Sequence, residues 1–349
     1  MHILATATAF PAHYVTQREF LDALLPYWGT DPKLTSIIER LHLRTGVDGR
    51  WFSRPLTDYL ALDTFGKTND AWINTALDLG QRSIECALKQ AGLVPDQLAA
   101  IFFVSVTGIA SPSIDARLVN RMGLSPRIRR NPIFGLGCVA GAAGLSRAAD
   151  YVRAYPDQVA VLLSVELCSL TWQRADKSVA NLISVGLFGD GAAAVLVAGD
   201  RVPLRGPRIL ATDRVFYPNT EEVMGWSISE NGFNIVLSPD VPKVVVENLG
   251  HNVDDFLATH NLTRRDIGSW IMHTGGPKVL EATAEALELS RDDLEVSWEV
   301  LRRVGNLSSA SVLVVLDEVM KHCRPAPGTR SILAAMGPGF CSEMVLLEW

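Results

Sequence analysis

The stretch Phe134-Gly135-Leu136-Gly137-Cys138-Val139-Ala140-Gly141-Ala142-Ala143-Gly144-Leu145 places one cysteine between a short apolar run and a segment of small residues. From Val139 onward, Ala142, Leu145, Ala149 and Val152 recur at three- and four-residue steps, the period of one helix face. Cys138 therefore stands at a turn that leads into a helix. The first free N–H groups and the helix dipole favour an anion there, which predicts a lowered thiol pKa. A close-packed helix with a buried, inert cysteine is the alternative, and the rest of the chain has to decide between them.

The chain has 349 residues, 48% hydrophobic and 20% charged, enough for two core-bearing units and too apolar for a disordered protein. Its net charge of −6 argues against nucleic acid or an anionic membrane as the main partner. Five dispersed cysteines, with no Cys-x-x-Cys pair and no Cys/His cluster, speak against zinc or any other metal site and against a disulfide framework. That usage fits the reducing cytoplasm. The opening residues carry no basic segment followed by an apolar one, and the longest apolar runs are of strand length, too short for a membrane span.

Outward from Cys138, the pattern alternates between helices and buried strands. Thr16 to Glu19 reads as a capping box. Helices are expected from about Thr35 to Leu43, Asp70 to Gln90 and Ile114 to Met122, and strands at Ala99–Val106 and Val159–Val165. Cys168 to Asn181 reads as irregular, and Leu187 to Val197 as a glycine turn feeding a strand. Prolines, glycines and charges around Gly199–Pro207 mark a boundary, giving units 1–203 and 204–349. Beyond it come a hairpin at Met224–Leu237, a helix from Val241 to about His260, and a strand ending at His273. A helix at Lys278–Leu287, the turn at Gly305-Asn306, a helix from Ser308 to Cys323 and two final strands follow.

The two halves repeat one order of elements. Thr107 pairs with His273, Cys138 with Asn306 and Val159 with Ser331, at offsets of roughly 165–175 residues, which reads as an internal duplication. Mixed sheets covered by helices are expected, with the Cys138 and Asn306 helices as a shared central layer. Duplication would bring the Cys138, His273 and Asn306 turns together. Their chemistry is complementary: a nucleophilic thiol, an imidazole, and an amide that can help hold an oxyanion.

Gly137-Cys138-Val139-Ala140-Gly141, Leu187-Phe188-Gly189-Asp190-Gly191-Ala192, His273-Thr274-Gly275-Gly276-Pro277, Gly305-Asn306-Leu307-Ser308-Ser309-Ala310 and Gly337-Pro338-Gly339 resemble, in this order, the motifs of type III polyketide synthases. These are the chalcone-synthase-like branch of the thiolase superfamily, and the resemblance covers nearly the whole chain. It implies a homodimer of the duplicated five-layered αβαβα thiolase fold, an α/β architecture with two mixed sheets and central helices. It also implies work on acyl-CoA and malonyl-CoA without a cofactor. By the match, Cys138 carries the acyl chain, His273 and Asn306 decarboxylate malonyl thioester and hold the enolate, and Phe188 is the gatekeeper. Arg40 and Arg44 match CoA-phosphate positions, with a solvated helix face as the alternative. A third basic position of the plant enzymes aligns with Ile37.

Departures from the plant pattern point to the substrate. Ile235 replaces a second gating phenylalanine and Ser111 a cavity methionine, and both changes remove bulk. Together with Thr107–Ser113 and Phe134–Cys138, they resemble bacterial alkylpyrone and alkylresorcinol synthases, which load fatty acyl-CoA into an apolar tunnel. Cys168 would lie near that tunnel, unless it is a packed small residue. The expected product is an alkylpyrone or alkylresorcinol. Malonyl-CoA-primed relatives of the naphthalene or dihydroxyphenylacetate type are the alternative, and a β-ketoacyl carrier-protein synthase III is disfavoured by the Gly275-Gly276-Pro277 turn.

Overall fold

The computed structural model of the chain describes residues 1–28 and 31–349. In the first half, β1 (His2–Ala9) precedes a ribbon of β2 (His13–Thr16) and β3 (Gly49–Phe52), with α1 (Gln17–Trp28) and α2 (Pro32–Leu43) between its strands. Then come α3 (Phe65–Ala91), β4 (Leu98–Val104), α4 (Ile114–Met122), β5 (Arg129–Ile133), α5 (Ala140–Ala154), β6 (Val159–Leu167), α6 (Val179–Leu187) and β7 (Asp190–Ala198). The second half holds β8 (Arg208–Phe216), the hairpin β9 (Met224–Ser229) and β10 (Gly232–Leu237), α7 (Val241–Ala258), β11 (Ile267–Met272) and α8 (Pro277–Leu287). It ends with α9 (Glu295–Val304), α10 (Ser311–His322), β12 (Arg330–Gly337) and β13 (Cys341–Glu348).

Local signals do what the residue types dictate. The capping box forms, with Thr16 N–H donating to Glu19 Oε2 at 2.9 Å and Glu19 N–H to Thr16 Oγ1 at 3.2 Å. Gly92 ends α3 in the left-handed conformation at φ 67°. From Cys168 to Ser178 the chain holds one 3-10 turn and no other regular element, as expected, and helix α6 begins at Val179. Ser178 caps α6 by accepting the Asn181 N–H at 3.3 Å, although Val179, Ile183, Val185 and Gly186 are poor helix formers.

Strand order in the first half is β1-β7-β6-β4-β5, and in the second β8-β13-β12-β11, the same order without a counterpart of β5. The two sheets meet edge to edge through one residue pair, His2 with Arg208, so hydrogen bonding runs across nine strands. Side chains alternate between faces as strands require. Val161, Leu163 and Val165 of β6 join an outer core with α3, and Ile332, Ala334 and Met336 of β12 join another with α7. Ala160, Leu162, Leu333 and Ala335 face inward to a central core built on α5 and α10. Those two helices touch closely because Gly141 has no side chain: a Cβ there would lie 2.2 Å from the Ser309 carbonyl oxygen.

The duplication is present, in a different register from that read off the motifs. Leu98 pairs with Val159 and Ala100 with Ala160 across a bulge, and Ile267 pairs with Arg330 and Ser269 with Ser331 across the same bulge. Phe103 therefore corresponds to Met272, and Val104, three residues before Thr107, corresponds to His273. Likewise the single 3-10 turn Gly137–Val139 that opens α5 corresponds to Ser308–Ala310, which opens α10. Cys138 is the counterpart of Ser309, and Asn306 lies three residues earlier. Motif order reveals a duplication, but only hydrogen-bond register aligns it.

Candidate active site

Cys138 is 6% exposed, in the turn where Gly137 takes φ 57°. A Cβ on Gly137 would fall 2.6 Å from Pro338, so the Gly337-Pro338-Gly339 loop closes directly over this turn. The thiol lies 3.6 Å from Ser308 Oγ. Burial pushes its pKa up to about 12; the Ser308 hydrogen bond pulls it down and the Glu166 carboxylate pushes it up. The lowering expected from the helix start is outweighed by burial, which removes water from the sulfur.

Asn306 is 1% exposed. Its N–H donates to the Leu187 carbonyl at 2.9 Å, and its own carbonyl accepts the Gly189 N–H at 2.9 Å, which clasps both sides of Phe188. Oδ1 accepts the Ser308 N–H at 2.7 Å and the Ser311 hydroxyl at 3.2 Å. Two donors on that atom fix the amide orientation and leave the NH₂ as the free donor.

His273 follows β11, whose last residue is held at the sheet edge by Ser297: its hydroxyl donates to the Met272 carbonyl at 2.9 Å and accepts the Met272 N–H at 3.3 Å. The His273 N–H donates to the Ala334 carbonyl at 3.1 Å. The ring is buried, and Nδ1 has no protein partner among the described residues. Burial lowers its pKa to about 4, so the imidazole is neutral at physiological pH. A Cβ on Gly276, in the turn after His273, would come 3.3 Å from the Leu187 side chain. The Asn306 and His273 turns thus both rest on Leu187, and Cys138 reaches Asn306 through Ser308.

Arg50 supports this arrangement from below. It is fully buried, stacks 4.4 Å over Phe20, and donates to the carbonyls of Val185 at 2.6 Å and Gly186 at 2.8 Å and to Gln17 Oε1. Those carbonyls end α6 and have no partner within the helix, so Arg50 caps the helix that delivers Phe188. Burial lowers the guanidinium pKa to about 9, which still leaves it charged at neutral pH.

Phe188, Cys168 and Ile235 line one apolar cavity of about 330 Å³ that runs between α1 and α6. Cys138 is not on its wall. Cys168 is buried, its pKa pushed well up by burial and further by Glu166, Asp190 and Cys138. Trp226 also lines the cavity, as does Tyr59, and sequence reasoning missed both. Ser111 does not belong to this wall: it is exposed on the loop before α4, outside the cavity lining. Arg40 on α2 and Arg44 at its C-cap are exposed, and no carboxylate among the described residues pairs with either. A Cβ on Gly46 would lie 3.3 Å from Pro277, so the end of α2 that carries Arg44 packs against the turn after His273.

Glu166 was also missed. It is buried and accepts the Val106 N–H at 3.1 Å and the hydroxyls of Thr107 at 2.9 Å, Ser105 at 3.3 Å and Ser309. Burial raises its pKa to about 7 against the pull of these donors. The signal was a lone acid inside the fully buried strand Val159–Leu167, where Ser164 is the other polar residue. Among the described residues no three His, Cys, Asp or Glu side chains are grouped to hold a metal ion, and no helix is long and apolar enough to cross a membrane.

Residues 1–201 match the N-terminal domain of chalcone and stilbene synthases, and residues 208–348 match the C-terminal domain. The chain is 47% identical to 1,3,6,8-tetrahydroxynaphthalene synthase of Streptomyces peucetius subsp. caesius, over 99% of this chain and 93% of the relative. It is 36% identical to a putative chalcone synthase of Bacillus subtilis, over 99% and 98%. The crystal structure of 1,3,6,8-tetrahydroxynaphthalene synthase from Streptomyces coelicolor A3(2), a bacterial type III polyketide synthase, superposes with a TM-score of 0.95 at 32% identity, covering 100% of this chain and 99% of that one. These relatives do not single out the alkylpyrone and alkylresorcinol branch that the departures from the plant pattern suggested. With matching domains from end to end, the chain belongs to the chalcone and stilbene synthase family of type III polyketide synthases.

Proposed function

We propose that this enzyme primes and extends with malonyl-CoA alone and releases a ten-carbon aromatic of the tetrahydroxynaphthalene type. The observation that carries this reading is the 47% identity, over nearly the whole chain, to a synthase of that product. Ten carbons correspond to five two-carbon units, so five malonyl-CoA would give one aromatic, five CO₂, five CoA and one water.

In this reading Cys138 attacks the first thioester and holds the growing chain. His273 and the Asn306 NH₂ donate to the thioester oxygen of the next malonyl-CoA as CO₂ leaves. A neutral imidazole suits this, since an N–H donor is all that the enolate requires. The enolate carbon then attacks the Cys138 thioester, and the sulfur departs as thiolate. Phe188 separates the cavity from the CoA side and keeps water from the intermediate. Arg40 and Arg44 hold CoA phosphates at the basic end of α2. Residues 1–203 supply the nucleophile and residues 204–349 the enolate-holding pair.

A second reading, an alkylpyrone or alkylresorcinol synthase loading a fatty acyl-CoA, is favoured by one feature: Phe20, Leu24 and Ile235 make the cavity wall apolar. Incubation with malonyl-CoA alone separates the two, with products weighed by mass spectrometry. The first reading predicts a ten-carbon aromatic without any other acyl-CoA. A product that forms only when a fatty acyl-CoA is added would replace it with the second.

We also read the chain as a cytoplasmic homodimer. β5 ends the sheet with Arg129, Arg130 and Pro132 exposed and its outer edge unpaired among the described residues, whereas at the opposite edge Ser297 bonds both backbone groups of Met272. Sedimentation at a single-chain mass would exclude the dimer.

A further inference from the structure

The cavity between α1 and α6 has a largely apolar wall, with Phe20, Leu24, Phe52, Leu56, Phe188 and Ile235 among its lining residues. Tyr59 and Ser169, on the same wall, connect instead to a buried charge. Asp190, the first residue of β7, is fully buried. It accepts the Ser53 N–H at 2.7 Å, the Ser169 N–H at 2.8 Å and the hydroxyls of both serines. All of these partners are donors, so the carboxyl is held as an acceptor. That fixes the direction of the hydroxyl chain. Ser169 points its one O–H at Asp190, its oxygen accepts from the Tyr59 hydroxyl, and the Tyr59 oxygen is left as an acceptor.

Other polar side chains of the wall are tied differently. Thr171 donates to the Cys168 carbonyl at 2.8 Å, Ser184 to the Asn181 carbonyl at 3.0 Å, and Thr57 to the exposed Asp58. Asn181 donates to the carbonyls of Gln173 at 2.9 Å and Asp176 at 2.7 Å. A link to a buried carboxylate polarises the Tyr59 hydroxyl and strengthens its oxygen as an acceptor. The residue is also fixed in place. Its 3-10 turn, Leu56–Ala61, is pinned by Arg174, which donates to the carbonyls of Tyr59, Leu60 at 3.1 Å and Leu62 at 2.8 Å. Its ring meets Phe52 edge-on, with centroids 6.1 Å apart. Burial, and then the Asp190 charge, raise the phenol pKa well above its ordinary value, so the hydroxyl keeps its proton.

A fixed, polarised acceptor in an apolar cavity suits a ligand that brings its own O–H. The β-keto chain grown by a type III polyketide synthase is such a ligand, because its β-dicarbonyl units enolise. We propose that Tyr59 is a specificity-determining residue: its oxygen accepts a hydrogen bond from an enol O–H of the extended chain, and Ser169 and Asp190 hold it in that orientation. In lactone release an enol oxygen attacks the thioester carbon, the C–S bond breaks, and the enol proton goes to the sulfur. An enol held by Tyr59 is turned away from that attack, which leaves carbon–carbon ring closure as the favoured course. This rests on the reading of the enzyme as one that extends and cyclises a malonyl-derived chain in this cavity.

The test compares full-length wild type with Tyr59→Phe, Ser169→Ala and Ser169→Thr on malonyl-CoA, with carbon-ring and lactone products separated and weighed by mass spectrometry. Tyr59→Phe keeps the ring and removes the acceptor. Ser169→Ala removes the link but keeps the backbone N–H that reaches Asp190, and Ser169→Thr keeps the hydroxyl. The ratio of carbon-ring product to lactone should fall about tenfold in Tyr59→Phe and Ser169→Ala and recover in Ser169→Thr, with CoA release and Tm close to wild type throughout. A purely structural role would instead lower CoA release and Tm together and leave the ratio where it was. A wild-type ratio in Tyr59→Phe would overturn the inference, and one in Ser169→Ala alone would remove the part given to Ser169 and Asp190. If the wild type turns over only with a fatty acyl-CoA, the malonyl-only reading fails, and the same ratio measured with that starter still decides the role of Tyr59.

Discussion

Gly137-Cys138-Val139 and Ser308-Ser309-Ala310 are one turn built twice, with the same left-handed first residue and the same helix behind it. Each turn packs against the end of a strand from the opposite half. Ser309 meets β6, where Ser164 bonds its hydroxyl at 2.8 Å and Glu166 accepts a hydrogen bond from it. Cys138 meets β12, where the equivalent residues are Ala335 and Gly337, and neither carries a polar side chain. Gly337 is required there, because a Cβ would lie 2.6 Å from the Val139 nitrogen. One copy is tied to the opposite strand by side-chain hydrogen bonds, and the other meets a strand end without polar side chains, its sulfur 3.6 Å from the Ser308 hydroxyl. The difference teaches that the active site is made as much by removing partners from one copy as by adding a nucleophile.

The largest effects should come from removing the two donors read as serving Cys138. His273→Ala and Asn306→Ala should each reduce malonyl-CoA decarboxylation, followed as CO₂ release, by about 10²–10³-fold while the circular dichroism stays unchanged. Release at the wild-type rate in both would mean that the two donors do not hold the enolate.

Loosening the tied copy should show up in stability. Glu166 has its pKa raised to about 7 from the ordinary 4.5, so the folded state holds this proton more tightly than the unfolded chain. Its contribution is full below about pH 4.5, falls as pH rises toward 7, and is lost above, a span of roughly 3 kcal/mol at most. His42 and His273, both lowered to about 4, act the other way, losing stability as pH falls below about 6.5. Comparing wild type with Glu166→Gln isolates the carboxyl. The variant should lose less stability between pH 5 and pH 8 than the wild type does, measured by urea unfolding. An identical pH slope would show that Glu166 does not titrate in this range.

Much of this was legible in the residues. The Cys138 turn, the capping box at Thr16 and the stop at Gly92 are local, and local chemistry decides them. Helix α6 was not, because nearly every residue of Val179–Leu187 is apolar or small and several are poor helix formers. The pairing of the halves was visible as an order of elements, but His273 and Asn306 each lie three residues from the partner read off the motifs, because the two halves place their functional residues at different positions of equivalent turns. Ser111 was assigned by alignment to a cavity wall, and the loop that carries it faces solvent. Trp226 and Glu166 reach their places only through tertiary packing, so their roles appear once the hairpin and β6 are in position.

The most direct test asks which copy of the duplicated turn takes the acyl group. After brief incubation with malonyl-CoA and acid quenching, peptide mass spectrometry should place the acyl mass on the peptide containing Cys138, and Cys138→Ala should abolish both this adduct and product. An adduct carried by Cys168 or by any other cysteine, or product formation that survives in Cys138→Ala, would contradict the account.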